Sequence, residues 1–201
     1  MTKRLFLAID RYVLGSLGRL IWANRKVNAS LAGLRTGGLR DDDPRLTIAA
    51  GAIEEAHAAE IRRLQRIEDK AMNNVFVVAI AISILTAGIG FYGKDNPLAA
   101  QCSFVKGAAG ILLTLAMSFL LLSAILAFRG YRIVRLYEPD LNDRSELCED
   151  KKWKQTLLQC IELNRKVITI QSNYVTASID YLIRGLIVAG FFFLLILRSA
   201  F

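Results

Sequence analysis

The side chains able to do chemistry are few and scattered. The chain has one histidine, His57, and three cysteines, Cys102, Cys148 and Cys160. Their spacing matches no zinc site, and three cysteines do not make a disulfide scaffold. His57 has no nucleophile or ligand partner nearby in sequence. It reads as a partly buried seam residue, with pH sensing as the second role open to it. Asp180 and Arg184 stand four apart with the acid first, the favourable order for a helical ion pair. They lie where a charged stretch turns apolar. An ionisable pair at membrane depth is a functional candidate, and this one has two readings: an element of a gate, or an anchor at the interface. Glu54, Glu60 and Glu68 belong to charged helical faces. No phosphate-binding glycine loop and no nucleophile elbow is present. The chain therefore reads as a non-enzyme with no cofactor and no metal.

The elements that carry these residues follow from how polarity is distributed. Of 201 residues, 54% are apolar and 22% charged. The apolar fraction exceeds the usual range of a soluble domain and excludes intrinsic disorder. Two runs are free of charge: Val75–Tyr92 and Gly107–Phe128. Each has the roughly 17–25 residues that a membrane helix needs. Gly185–Leu197 is shorter, but reaches spanning length from Tyr181 to Phe201, with Arg184 and Arg198 able to snorkel from its ends. A re-entrant segment is the alternative there. Span one carries a stripe of small residues, Ala79, Ser83, Ala87 and Gly90. Span two carries Gly107, Gly110, Thr114 and Ser118. Both stripes permit close helix packing, with pore lining as the other reading.

Outside the spans the pattern is helical. Leu5, Ile9, Tyr12, Val13, Leu17, Leu20 and Ile21 share one face, with Lys3, Arg4, Arg11, Arg19 and Lys26 largely off it. A half-apolar cationic helix of this kind suits anionic headgroups; packing on the protein's own helices is the equal alternative. The run Asp41-Asp42-Asp43-Pro44 starts a new helix. Leu46, Ala50, Ile53, His57, Leu64, Ile67 and Ala71 then recur at heptad-like spacing, with Glu60 at one seam position. Tyr137-Glu138-Pro139-Asp140 breaks the helix leaving span two. Leu157, Ile161, Ile168, Val175 and Leu182 form the next stripe, widened by Leu163, Val167 and Ile170. These two stalks must pack on each other or between subunits. Ile53, His57, Leu64 and Ile67 are the expected assembly positions.

Cations set the orientation. Thirteen Lys and Arg precede the first span and nine lie between Arg129 and Lys166, whereas the loop Gly93–Lys106 has only Lys94 and Lys106. Both cation-rich regions are expected in the cytoplasm and the short loop outside. The net charge of +8 is thus a membrane signature rather than a nucleic-acid one, since the cations alternate with Asp41–Asp43, Glu54-Glu55 and Glu149-Asp150. The expected architecture is an all-α integral membrane protein with three transmembrane helices, long cytoplasmic helical stalks and an N-terminal amphipathic helix. Its segments are the amphipathic helix 1–35, a stalk 44–72, a hairpin 73–128 with spans 73–92 and 105–128, a cytoplasmic helical segment 129–180 and a third span 181–201.

Ile67-Glu68-Asp69-Lys70-Ala71, leading into span one, resembles the approach to the first span of small bacterial anti-phage membrane effectors, the transmembrane Pycsar effectors and SLATT proteins. The stretch NRKVITIQSNYVTASIDYLIRGLIVAGFFFLLI is similar to their final helix running into a last span. The resemblance covers about Leu64 to Phe201, and Met1 to Arg45 departs from it. It implies a homo-oligomer in the bacterial inner membrane, N-terminus cytoplasmic and C-terminus outside, that disrupts the bilayer when triggered by a nucleotide signal or a protein partner. The rival reading is an accessory subunit or membrane anchor of a larger complex.

Overall fold

Four helices follow one another among the described residues. A computed structural model describes residues 15–37, 43–90, 103–132, 137 and 150–200. Helix α1 spans Gly15–Gly37, α2 Ala50–Gly90, α3 Ser103–Arg132 and α4 Asp150–Ala200, with a 3-10 turn over Pro44–Thr47. No strand occurs among the described residues, and the expected all-helical class holds. The apolar positions Leu5, Ile9, Tyr12 and Val13, the residues Glu138–Asp140, and Cys102 and Cys148 lie outside the described residues.

Three of the helices, α2, α3 and α4, are long and apolar enough to cross a bilayer. Their outer faces are inverted relative to a water-soluble fold. Phe76, Ile80 and Ile84 on α2, Ile111 and Ile125 on α3, and Ile187, Phe191 and Leu194 on α4 are all more than half exposed. So much contiguous exposed hydrocarbon is stable only when lipid covers it. Three candidate membrane-spanning helices point to a membrane location.

The long helices are built on strict heptads. In α2 the buried or half-buried positions are Ile53, His57, Glu60, Leu64, Ile67, Ala71, Asn74, Val78, Ala81 and Leu85. In α4 they are Leu157, Ile161, Asn164, Ile168, Gln171, Val175, Ser178, Leu182, Gly185 and Ala189. Each list alternates steps of three and four, the 3.5-residue repeat of a left-handed coiled coil. A constant offset in numbering relates the lists member by member.

The chain divides into two units. One comprises Met1–Asp69 with Gly130–Asn173, the other Lys70–Arg129 with Tyr174–Phe201. The first is charged. In its core, Ile53 of α2 packs with Leu157, Leu158 and Ile161 of α4, against Leu46, Ala56 and Trp153. Glu60 meets Arg165 further along both helices, so α2 and α4 run parallel. Leu31 of α1 packs with Leu163 and Val167, and Asn173 Nδ2 donates to Asn24 Oδ1 at 2.9 Å. Helix α1 is therefore antiparallel to α4. The face of α1 that carries Leu20, Asn24 and Leu31 is buried on the protein itself.

Asp43-Pro44 does not open the long helix directly. It opens the 3-10 turn, Ile48 then extends at φ −68° and ψ 146°, and α2 starts at Ala50. Asp43 caps the turn by accepting from Arg45 N at 2.9 Å, and Arg45 Nη1 donates onward to Glu162 of α4 at 2.7 Å. The strap is thus tied down by a charge relay. The side-chain and backbone hydrogen bonds from Arg45 hold the Asp43 carboxyl at about 2. A depressed carboxyl stabilises above its ordinary value of 3.8, and the contribution is lost as pH falls through about 2. Amide protection over residues 45–48 is expected to decline across that window. Asp43→Asn should weaken protection at neutral pH and flatten the dependence, read by hydrogen exchange.

In the second unit, Val78, Ala81 and Leu85 of α2, Ala109, Ala116 and Leu120 of α3, and Leu182, Ala189, Phe192 and Ile196 of α4 form one core. Gly185 sets the closest approach. A Cβ there would sit 2.9 Å from Leu120 Cγ and Cδ2 and 3.4 Å from Leu120 N. Gly185→Ala is expected to cost about 1 kcal/mol through overpacking, and Leu120→Ala in the same chain should relieve that clash. A double-mutant cycle on unfolding in detergent would reveal the coupling; strict additivity would refute the close contact.

Candidate functional site

The heptad seam holds polar side chains at positions that a stable coiled coil fills with hydrocarbon. On α4, Asn164, Gln171 and Ser178 follow at seven-residue spacing, all fully buried. On α2, Glu60 and Asn74 are buried.

In the charged unit each polar group meets a different fate. Glu60 Oε1 accepts from Arg165 Nε at 2.8 Å, while its Oε2 has no hydrogen-bond donor and lies 3.8 Å from Arg63. Asn164 clamps the chain at Tyr137. Its Oδ1 accepts from Tyr137 N at 3.0 Å and its Nδ2 donates to Tyr137 O at 3.1 Å. That clamp holds the first residue of the break expected at Tyr137–Asp140. Asn24 accepts from Asn173 but its Nδ2 finds no acceptor. Gln171 is left with neither its Oε1 nor its Nε2 partnered. His57 is half-buried with its Nε2 unpartnered. An unpaired polar group removed from water costs about 1–3 kcal/mol, so this stretch of seam is less stable than its apolar residues imply.

In the second unit the seam is satisfied. Asn74 Nδ2 donates to Ser178 Oγ at 3.0 Å, Ser178 Oγ donates to Ser123 O at 2.9 Å, and Ser123 Oγ donates to Ser178 O at 2.8 Å. Hydrocarbon offers no competing partner, so this network pins α2, α3 and α4 to one register. One turn beyond Ser178, Arg184 stacks over the Tyr181 ring at 5.2 Å, with Asp180 at 4.0 Å. Asp180 is half exposed and Arg184 mostly covered. Tyr181 is fully buried and its ring lies 6.0 Å from Phe119.

The residues singled out from sequence fall into three groups. Ile53 and Leu64 are buried within one chain, and Ile67 and His57 are half-buried beside them. The stalks therefore pack on each other. Asp180 and Arg184 do come together, with Tyr181 as a third member. The small-residue stripes point away from the protomer's core: Ala79, Ser83, Ala87, Gly107, Gly110, Thr114 and Ser118 are all exposed, and Gly90 ends α2. The hydroxyls of Ser83, Thr114 and Ser118 bond back to the carbonyls of Ala79, Gly110 and Thr114, so they carry no unsatisfied donor outward. Within the chain a different stripe of α3 is buried: Ala109, Ala116, Ser123 and Gly130, again seven apart. That period was the available signal for the missed residues.

Cys160 is a shielded thiol. Burial pushes the Cys160 thiol up from its ordinary value, and the residue is buried. Cys160 is expected to resist alkylation in the native protein, even in permeabilised cells, and to react fully in denaturant. Fast native labelling would mean the charged unit opens. Among the described residues no group of three His, Cys, Asp or Glu side chains could hold a metal. No protein family, curated protein or solved structure matches the chain.

Proposed function

We propose that the protein is an oligomeric inner-membrane effector that disrupts the bilayer when triggered, acting in bacterial anti-phage defence. One observation carries this reading: α2 and α4 continue a single heptad register from the charged unit into the apolar one without a break. A helix under 3.5-residue supercoiling transmits rotation or sliding along its length. A nucleotide or protein signal that repacks the unsatisfied stretch around Gln171 therefore has a stiff path to the membrane helices. The parallel course of α2 and α4 supports the orientation read from the cations, in which spans one and three leave the same side. The cation-rich stalks then lie in the cytoplasm and the C-terminus outside. The exposed stripes through Ser83 and Thr114 offer the close approach that subunit packing in lipid requires.

The test is membrane potential. Production of the protein, alone and with a nucleotide-signalling enzyme, should depolarise cells relative to a span-matched control at equal level. Arg184→Ala should change the leak per protein if the Asp180–Tyr181–Arg184 group controls the pore, and replacing Asp180 as well should partly restore it. An anchoring pair would alter protein level and leave the leak per protein unchanged. A chain that never depolarises and purifies in a large stable complex is instead the accessory subunit or anchor.

A further inference from the structure

We infer that the outward face of α1 is a docking surface for anionic phospholipid headgroups. The face opposite Leu20, Asn24 and Leu31 is built around Trp22, which is 68% exposed, with Ile21 51% exposed beside it. A tryptophan this open on a helix whose other side is already buried has no role in the protomer's own packing. Lys26 Nζ lies 5.7 Å from the Trp22 ring centroid, so the aromatic carries a cation on its flank. Trp with adjoining Lys and Arg is the combination that settles at the boundary between headgroups and acyl chains.

Charge favours this occupant over a protein. From Arg11 to Arg40 the sequence contains six cations and no acidic residue, although Asp and Glu make up 18 of the 201 residues. A protein-docking helix of this size would ordinarily mix signs; an unmixed cationic one complements a surface of phosphates. The opposite side of α1 is occupied, since Asn24 bonds Asn173 of α4. Arg19 and Trp22 precede Asn24 in the sequence and Arg25 and Lys26 follow it, and all four side chains are exposed. The inference rests on the membrane location alone and stands whether or not the protein forms a leak.

Trp22 is one of only two tryptophans, which makes the test direct. Trp153→Phe protein is reconstituted in nanodiscs of phosphatidylcholine alone or with phosphatidylglycerol. With the anionic lipid, Trp22 emission should shift to the blue, iodide quenching should fall several-fold, and brominated acyl chains should quench it. The effect should fade in high salt and in the Arg25→Gln, Lys26→Gln double variant. If Trp153→Phe does not fold, the difference between wild type and Trp22→Phe isolates the same signal. Trp22 equally open to iodide in both lipids overturns the inference. Shielding that brominated chains do not report, and that grows with protein copies per disc, assigns the face to a second copy and overturns it as well. Equal shielding in both lipids overturns the anionic assignment.

Discussion

Leu64→Asp is expected to unfold the charged unit while leaving the chain inserted in the membrane. Leu64 is 3% exposed on the α2 seam, and the heptad register sets it opposite the equally buried Ile168. The substitution removes a large apolar side chain and strands an unpaired carboxylate. Cavity formation alone costs about 2–5 kcal/mol, and an uncompensated buried charge costs a comparable amount. Together these approach the whole stability of a typical domain, about 5–15 kcal/mol. The spans are untouched, so insertion should survive. Limited trypsin digestion should then cleave the helices of the charged unit faster in the variant than in the wild type, where the many exposed Lys and Arg sit on folded helix. Ile53→Asp should behave alike, because Ile53 sits among Leu157, Leu158 and Ile161. If either variant keeps full protease resistance and only changes oligomer size, the seam joins subunits rather than the two helices of one chain.

That expectation selects one of the two packings that the heptad pattern alone left open. Leu46, Ile53, Leu64 and Ala71 advertise a seam, but periodicity is silent on whether the partner is a second copy or another segment of the same chain. The span positions show the same asymmetry. Charge-free runs of sufficient length identify membrane helices directly, because burying backbone in hydrocarbon forces that pattern. Which side of each run faces protein is much harder to read, since lipid and protein interior are both apolar. Ala79, Ser83, Gly110 and Thr114 form an inviting stripe and face outward; Ala109, Ala116 and Ser123, seven apart, face inward. Buried polar residues were the other casualty. Asn164, Gln171 and Ser178 look like ordinary solvated positions in a charged helix until their spacing is laid over Ile161, Ile168 and Val175. The Asp180–Arg184 pair was legible because a helical pair at four-residue spacing needs no knowledge of the tertiary fold.

Gln171→Leu is expected to stabilise the protein, the opposite sign to nearly every other core change. The side chain is fully buried and neither end of its amide has a partner. Each unpaired group costs about 1–3 kcal/mol, and leucine fills a similar volume without either. A gain of roughly 2 kcal/mol in the charged unit should appear as a higher unfolding midpoint and slower hydrogen exchange around the substitution. Asn164→Leu supplies the contrast, seven residues away on the same face. There the amide satisfies both the N–H and the carbonyl of Tyr137, so the identical chemical change should destabilise and release that segment. The opposite signs separate an orphaned amide from a structural clamp more sharply than either variant alone. Stabilisation at Gln171 also bears on mechanism. If the loose stretch of seam is what a trigger repacks, the leucine variant should need a stronger trigger to depolarise the membrane while inserting and assembling normally. A Gln171→Leu protein that is less stable than wild type would show that the amide is bonded in the membrane-embedded protein, by ordered water or by a bound polar ligand, and would move the search for the trigger to that position.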